Sequence, residues 1–433
     1  MKKKYCSSIA MLMLVFLCSH YKMQACSMYK LTVDSTTLVG CNHDAWLTTI
    51  KIWFENAKQP NEYGAGFTGA REVHGKTAPQ SGMNEAGLAF SRLVSYYPKR
   101  ENPFPSRKKI GNEVDYLTTI LHRCATIEEV KTHIEQYDHS VFLDDIFIYI
   151  DSTGDYLIVE PYQLIRGNDP HYVLANFCPS ITSNEQARKL TRYRNGEDFL
   201  TANPAKASLD YCRALSDTMH VCRNRKGDGT LLTSIWNTRE KVVNLFFYHS
   251  YDSTVQFSLT AELAKGDHLL SVPDLFPPNS EFEELISYKT PFNTPPLRVG
   301  LVVLSGLLTL LTLLYGIALM RKNKSGLSLK TSVLLSVLNV LLIAYLFVLA
   351  THRELFYFDA PYKHYGSHLI SISSYIPFLL LFAFIPFCLF TIKTLKKENI
   401  KRGTKAILLS NKLLFLLLIL SFAYWGLYTV WKV

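Results

Sequence analysis

From Leu297 onward the chain carries four apolar runs: Val299–Met320, Thr331–Ala350, Leu369–Ile392 and Leu413–Trp431. Each is about 19–24 residues long, the length an α-helix needs to cross the hydrocarbon core of a bilayer. Backbone exposed to lipid must satisfy its own hydrogen bonds, so this part of the chain, residues 298–433, is constrained to four membrane-spanning helices. Arg321–Lys330 holds four basic residues and no acid, and Lys393–Lys405 holds six basic residues and one acid, Glu398. The aromatic stretch Thr351–Ser367 balances two of each sign. The excess of Lys and Arg puts both basic connections in the cytoplasm, and residues 26–297 and the C-terminus on the opposite side. Lys412 and Lys432 fall at the ends of the expected spans, where they can snorkel, and ionisable residues are nearly absent from the span interiors. Buried charges of the kind that transport uses are therefore missing, and the spans read as an anchor. Asn339 is polar enough to join helices within it.

The formal charge of +10 resolves by region. Residues 1–25 carry +4, residues 298–433 carry +12, and residues 26–297 carry −6. The basic excess belongs to export and membrane segments, so nucleic-acid binding is disfavoured. Lys2–Lys4 followed by the short apolar run Ile9–Cys18 and a polar stretch ending in Ala25 form a secretory signal pattern, residues 1–25, too short to span a membrane. Cleavage after Ala25 would make Cys26 the first residue of the mature chain, although Met23 is larger than the small residue usual at that distance from a cut. A competing fate for Cys26 is lipidation, which ends with its amine acylated.

Residues 26–297 are numerous enough to bury a core. Met28–Val33 and Thr37–Cys41 are β-rich runs joined by a short turn, with Asn42–Ala45 expected as the turn leaving the second strand. Ile50–Phe54 is strand-like, Asn56–Gly82 is rich in Gly, Asn and Pro and reads as loop, and Leu88–Val94 is an apolar strand. Thr126-Ile-Glu-Glu129 has the form of a capping box, followed by Ile127, Val130 and Ile134 on one helical face. Ile146–Ile150 and Asp155–Glu160 flank Asp151-Ser-Thr-Gly154, a hairpin signature. His171–Ala175 is a short strand ending at Asn176, residues 184–217 are mostly helical, and Leu231–Trp236 with Val242–His249 make a last hairpin. Strands, then helices, then strands indicate an α+β domain with antiparallel sheets.

A cysteine at a chain terminus carries a thiol and a free α-amine, which titrate near pH 8.5 and 8. The amine can serve as the thiol's general base, as in N-terminal nucleophiles. A hairpin of two roughly equal strands returns its far end to its start, so Asp44 is expected beside Cys26, where a carboxylate can hold the amine. The exported part holds Cys26, Cys41, Cys124, Cys178, Cys212 and Cys222. An oxidising compartment permits disulfides, and Cys212 and Cys222 are close enough in sequence to pair. His43, His74, His249 and His268 show no metal-ligand spacing, and no phosphate-cradling glycine loop occurs, so neither metal nor nucleotide cofactor is implied.

Cys26–Trp46, with its Gly-Cys-Asn-His-Asp-Ala-Trp end, resembles the mature N-terminus of choloylglycine hydrolase-like proteins. That family includes penicillin V acylases, bile-salt hydrolases and acyl-coenzyme A:6-aminopenicillanic acid acyltransferases. The resemblance continues through Gly82-Met-Asn-Glu-Ala-Gly-Leu88, Ile148-Tyr-Ile-Asp-Ser-Thr-Gly-Asp155 to Val159-Glu-Pro161, Val173-Leu-Ala-Asn-Phe177 and Thr233-Ser234. It covers about 26–260. It implies a four-layer αββα N-terminal-nucleophile (Ntn) hydrolase fold, with Cys26 as nucleophile, Asp44 orienting its amine and Asn176 donating to the oxyanion. Asn84, between Gly82 and Gly87, is expected to be structural. Two departures stand out. Cys41 occupies the position where bile-salt and penicillin V enzymes carry an arginine, which moves the chain toward the acyltransferase-like, linear-amide branch. Their later arginine could be Arg188, Arg192, Arg194, Arg223 or Arg239. The expected function is hydrolysis of linear amide bonds in a small-molecule substrate through a thioester. The alternatives are acyl transfer on the same fold, or a non-catalytic, membrane-anchored binding or sensing ectodomain.

Overall fold

The strand-rich runs of the first unit, Gln24–Ser287, pair antiparallel throughout both of its large sheets, and that pairing positions everything else. The computed structural model describes residues 26–45, 49–73, 75–101, 104–223, 228–287, 295–320, 329–352, 355, 361, 368–396 and 400–428. The expected signal segment 1–25 and Trp46 lie outside them. In chain order the first strands are β1 (Ser27–Val33), β2 (Thr36–Ala45), β3 (Lys51–Glu55), β4 (Ala65–Gly69), β5 (Glu72–Val73), β6 (Lys76–Thr77), β7 (Ser81–Asn84) and β8 (Ala89–Val94). Helices α1 (Glu113–Arg123) and α2 (Ile127–Ile134) follow, then β9 (Asp145–Ile150), β10 (Tyr156–Val159), β11 (Leu164–Gly167) and β12 (His171–Leu174). Next come α3 (Asn184–Ala187), α4 (Thr191–Ala202) and α5 (Leu209–Met219), then β13 (Cys222–Arg223), β14 (Asp228–Asn237), β15 (Val242–Phe247) and β16 (Val255–Ser258). The unit closes with α6 (Leu259–Leu263), β17 (His268–Ser271) and α7 (Ser280–Ser287).

One sheet has the order β12-β1-β2-β14-β15-β16, and the other β11-β10-β9-β8-β7-β4-β3-β17. Side chains alternate along each strand, and the two faces of each sheet have distinct partners. From the first sheet, Tyr29, Leu31, Leu38, Ile235 and Phe246 pack outward on Tyr193, Tyr211, Leu215 and Met219 of α4 and α5. From the second, Phe67, Phe90, Tyr149 and Leu157 pack outward on Leu117, Ile120, Leu121 and Val130 of α1 and α2. The inner faces meet each other: His43 Nε2 on β2 lies 3.0 Å from Ser81 Oγ on β7, and Trp236 Nε1 on β14 donates to the same oxygen at 3.3 Å. The layers run helix, sheet, sheet, helix, the four-layer αββα arrangement expected from the sequence.

The local signals that point to hairpins and caps are met. Tyr156 opposes Ile150 and Val159 opposes Phe147 across the β9–β10 hairpin, and Thr126 and Glu129 form the reciprocal capping box of α2. Two expectations are overturned. Asn42–Ala45 is not a turn but the end of β2, because β14 pairs with it as far as Gly229 opposite Ala45. The expected loop 56–82 contains β4, a strand buried along its whole length. Its glycines mark crowding rather than a turn: a Cβ on Gly69 would meet the Ala78 carbonyl oxygen at 2.2 Å, and one on Gly82 would meet that of Gly66 at 2.7 Å. Cys212, expected to be within reach of Cys222, is a free buried thiol, and the Cys222 side chain lies outside the described residues.

In the second unit, α8 (Pro295–Met320), α9 (Leu329–Thr351), α10 (His368–Ser373), α11 (Ile376–Leu395) and α12 (Arg402–Tyr424) make four stretches long and apolar enough to cross a membrane. Val302, Leu334, Phe347, Ile385 and Leu420 are each more than half exposed, an outer surface suited to lipid and not to water. The third stretch is broken into α10 and α11 just before Pro377, which lacks the N–H needed to continue a helix. The fourth helix begins at Arg402, well before the expected Leu413, so Lys412 lies within it and not at its end. Lys and Arg are good helix formers, and the basic flank simply extends the helix. Asn339 Nδ2 donates to Asn411 Oδ1 at 3.1 Å, joining α9 to α12 through a pair sealed from solvent.

Asn84 shows how sheet and helix layers are tied. Its amide donates to the Leu121 and Cys124 carbonyls at the end of α1, at 2.6 and 2.7 Å, and its oxygen accepts from Leu88 N at 2.9 Å. Asn84→Ala is expected to orphan all three groups and to cost roughly 2–4 kcal/mol. Asn84→Asp should be worse, since it faces two carbonyl oxygens with an acceptor. The thermal midpoints of the two variants check the order.

Candidate active site

Four strand ends converge at one end of the sandwich. Cys26 precedes β1, whose antiparallel neighbours are β2, with Ser27 opposite Asn42, and β12, with Met28 opposite Leu174. Continuing these registers brings the ends of both neighbours, at Asp44 and Asn176, alongside residue 26. β14 flanks β2 with Thr230 opposite Asp44, and a bulge between Thr230 and Leu232 sets the orientation of its end.

Alternation sends Cys26, Cys41 and His43 between the sheets and Asn42 and Asp44 toward the helices. The Cys26 thiol is 2% exposed and free of any disulfide. Sγ donates to the Asp44 carbonyl oxygen at 3.8 Å and accepts from Gln80 Nε2 at 3.1 Å. Burial, and then the charge of Asp44, push the thiol up to about 11, while the bond to residue 44, the Arg192 charge and the Gln80 amide act against that rise. Cys41 is pushed up to about 12 by burial, moderated by the hydroxyls of Ser91, Ser234 and Ser81.

On the helix side, Asp44 Oδ1 accepts from Thr230 Oγ1 at 2.6 Å and Oδ2 pairs with Arg192 Nη1. Both side chains of the ion pair are nearly sealed, at 5% and 3% exposure. Of the arginines that the sequence left open, Arg192 is the one that contacts Asp44 among the described residues. Arg188 pairs with Asp198 at the surface, Arg194 is exposed, Arg239 reaches the Ser35 hydroxyl, and the Arg223 side chain lies outside the described residues. A signal for Arg192 does exist in the sequence: it shares a helical stripe with Gly196 and Leu200, and an arginine on a buried stripe requires a carboxylate. Asn42 extends the network, donating to Ser216 O at 2.9 Å and accepting from Thr233 Oγ1 at 2.8 Å.

Asn176 Nδ2 donates to Val94 O at 2.6 Å, across to the end of β8 in the other sheet. A primary amide has two N–H groups, so this bond fixes the plane of the side chain. Between the sheets, His43 Nε2 is also 3.3 Å from Ser234 Oγ, and burial pushes this imidazole down to about 3. Among the described residues no group of His, Cys, Asp and Glu is arranged to hold a metal ion.

No family model and no curated protein matches the chain. Among solved structures it is similar to a variant of conjugated bile acid hydrolase from Clostridium perfringens, at 15% identity and a TM-score of 0.44, over 59% of this chain and 97% of that one. Penicillin V acylase from Agrobacterium tumefaciens matches at 15% identity and 0.42, over 54% and 86%. The Caenorhabditis elegans ortholog of N-acylethanolamine-hydrolyzing acid amidase matches at 10% identity and 0.36, over 57% and 99%.

Two measurements probe this region without reference to turnover. Arg192→Met strands a buried carboxylate and should cost about 3–5 kcal/mol, and adding Asp44→Asn should recover part of it; thermal midpoints of the single and double variants test this. Between about pH 6.5 and 3 the unfolded chain protonates His43 while the folded chain keeps it neutral, so stability falls as pH is lowered, with a slope of up to about 1.4 kcal/mol per pH unit. His43→Gln should remove that share of the slope and leave the share of His139, also pushed down to about 3 by burial.

Proposed function

We propose that the chain is an exported, membrane-anchored hydrolase of linear amide C–N bonds that uses Cys26 as an N-terminal nucleophile. The observation that carries this reading is the disulfide-free, buried thiol at the head of β1, touched by a side-chain amide and backed by the buried Asp44–Arg192 pair. The ordered motifs from Cys26 to Thr233-Ser234, which resemble choloylglycine hydrolase-like proteins, support it from the sequence.

Removal of residues 1–25 would turn the backbone nitrogen of Cys26 into an amine. As Sγ attacks the substrate carbonyl, that amine takes the thiol proton, and the C–S bond forms while the carbonyl π pair moves to oxygen. Asn176 stabilises that oxyanion, a donor role typically worth about 2.7–4 kcal/mol of barrier. Collapse breaks the C–N bond, the amine passes its proton to the leaving nitrogen, and a thioester remains. Water, activated by the same amine, then releases the acid and restores the thiol. An acceptor amine in place of water would give acyl transfer. Asp44 holds the catalytic amine in place, and its own geometry is set by Thr230 and Arg192. The four apolar stretches keep the hydrolase domain at the membrane, on the extracytoplasmic side by the charge of their connections.

Intact-mass analysis of the mature full-length chain, paired with a panel of N-acyl amides, tests the proposal. The expected mass begins at Cys26 with no adduct, Cys26→Ala abolishes turnover, and Asn176→Ala lowers kcat by about 10²–10³-fold. A diacylglyceryl group on Cys26, or normal turnover by Cys26→Ala, would sink it.

A further inference from the structure

A second amide faces the thiol from the opposite sheet. Gln80 lies in the short connection leading into β7, and its backbone is held on both sides: its N–H donates to Thr68 O at 2.7 Å and its carbonyl accepts from Arg92 N at 2.8 Å. Arg92 is itself buried and forked onto Asp145, with Nε to Oδ1 at 2.8 Å and Nη2 to Oδ2 at 2.7 Å. Gln80 therefore projects from a bridge between β4 and β8, not from a loop tip. Its Nε2 donates to Cys26 Sγ at 3.1 Å. Asn176 spans the gap in the other direction, from the first sheet to Val94 O in the second. The two amides thus approach the mouth between the sheets from opposite walls.

We propose that Gln80 is a catalytic residue that activates Cys26, its amide donating to the sulfur as the thiol proton leaves and negative charge develops there, before that charge passes to the carbonyl oxygen. This rests on the reading of Cys26 as the nucleophile. A neutral amide suits the position. Among the described residues, the charged and titratable groups that act on the thiol are Asp44 and Cys41 on β2 and Arg192 on α4, and cleavage before residue 26 would add the α-amine. Burial and the Asp44 carboxylate both oppose the thiolate, and a donor that brings no acid with it favours the anion without adding repulsion. Glutamine can fill the role and glutamate cannot. No covalent bond to Gln80 is involved: it keeps both its hydrogens while the thiol proton goes to the amine.

The test is the pH profile of Cys26 alkylation by iodoacetamide in the mature full-length protein in detergent, read by peptide mass spectrometry. Gln80→Met keeps the side chain's size and loses the donor. It should move the midpoint up by about one to two pH units and slow labelling at pH 7 by about 10–100-fold, the scale of a hydrogen bond to a charged group. Gln80→Glu should move it at least as far in the same direction, with thermal midpoints of both variants near that of the parent. If the parent labels at Cys26 and both variants keep its midpoint, the role of Gln80 is wrong and the nucleophile reading stands. If the parent does not label at Cys26 across the range, the nucleophile reading fails and the role of Gln80 falls with it.

Discussion

A carboxylate and a guanidinium meet out of water at Asp44 and Arg192, and the end of the sandwich that holds the candidate site depends on that contact. Dehydrating the two ions costs several kcal/mol each, offset only when geometry and additional hydrogen bonds are good. Here Thr230 occupies the second oxygen of Asp44, so the carboxylate is satisfied from β14 and α4 at once. The consequence is positional. α4 must lie where its buried stripe reaches the end of β2, β14 must bulge to bring Thr230 round, and β1 then begins against a fixed wall. Cys26 has its place because three other elements have already been fixed by electrostatics that tolerate little displacement.

The sequence reveals the scaffold wherever structure is local. The Asp151–Gly154 turn, the Thr126 capping box and the helix face that follows are decided within a few residues, and the structure contains all three. What cannot be read locally is anything whose cause lies across the fold. β4 is hidden by its glycines, whose reason is crowding by the Ala78 backbone at Gly69 and by the Phe54 ring at Gly66, and not a turn. The end of β2 looks like a turn because Asn, His and Asp favour turns, yet β14, nearly two hundred residues on, pairs with it and keeps it extended. The convergence of Cys26 and Asp44 followed from hairpin geometry, whereas Arg192 needed the packing of α4 and Gln80 needed the second sheet. Residues supplied by the opposite wall leave no trace in the spacing around Cys26.

The second unit follows simpler rules. Length and apolarity define its helices, and their exposed leucines and valines have no core to enter. Among the described residues, Asn339 and Asn411 make a buried polar contact between two of its helices. In hydrocarbon such a pair favours one alignment of α9 and α12 over its neighbours, because sliding either helix leaves both amides without a partner.

The burial of the thiol at the head of β1 also governs its reactivity in the uncut chain. A cysteine reacts with oxidants and electrophiles as its thiolate. Burial and the charge of Asp44 push the Cys26 thiol up to about 11, which favours its neutral form near pH 7. On the proposed reading, a precursor crossing an oxidising compartment would carry its nucleophile in a chemically quiet form, shielded by the same dehydration that the reaction must later overcome. That protection would belong to the folded precursor, before removal of residues 1–25 turns the backbone nitrogen of Cys26 into an amine.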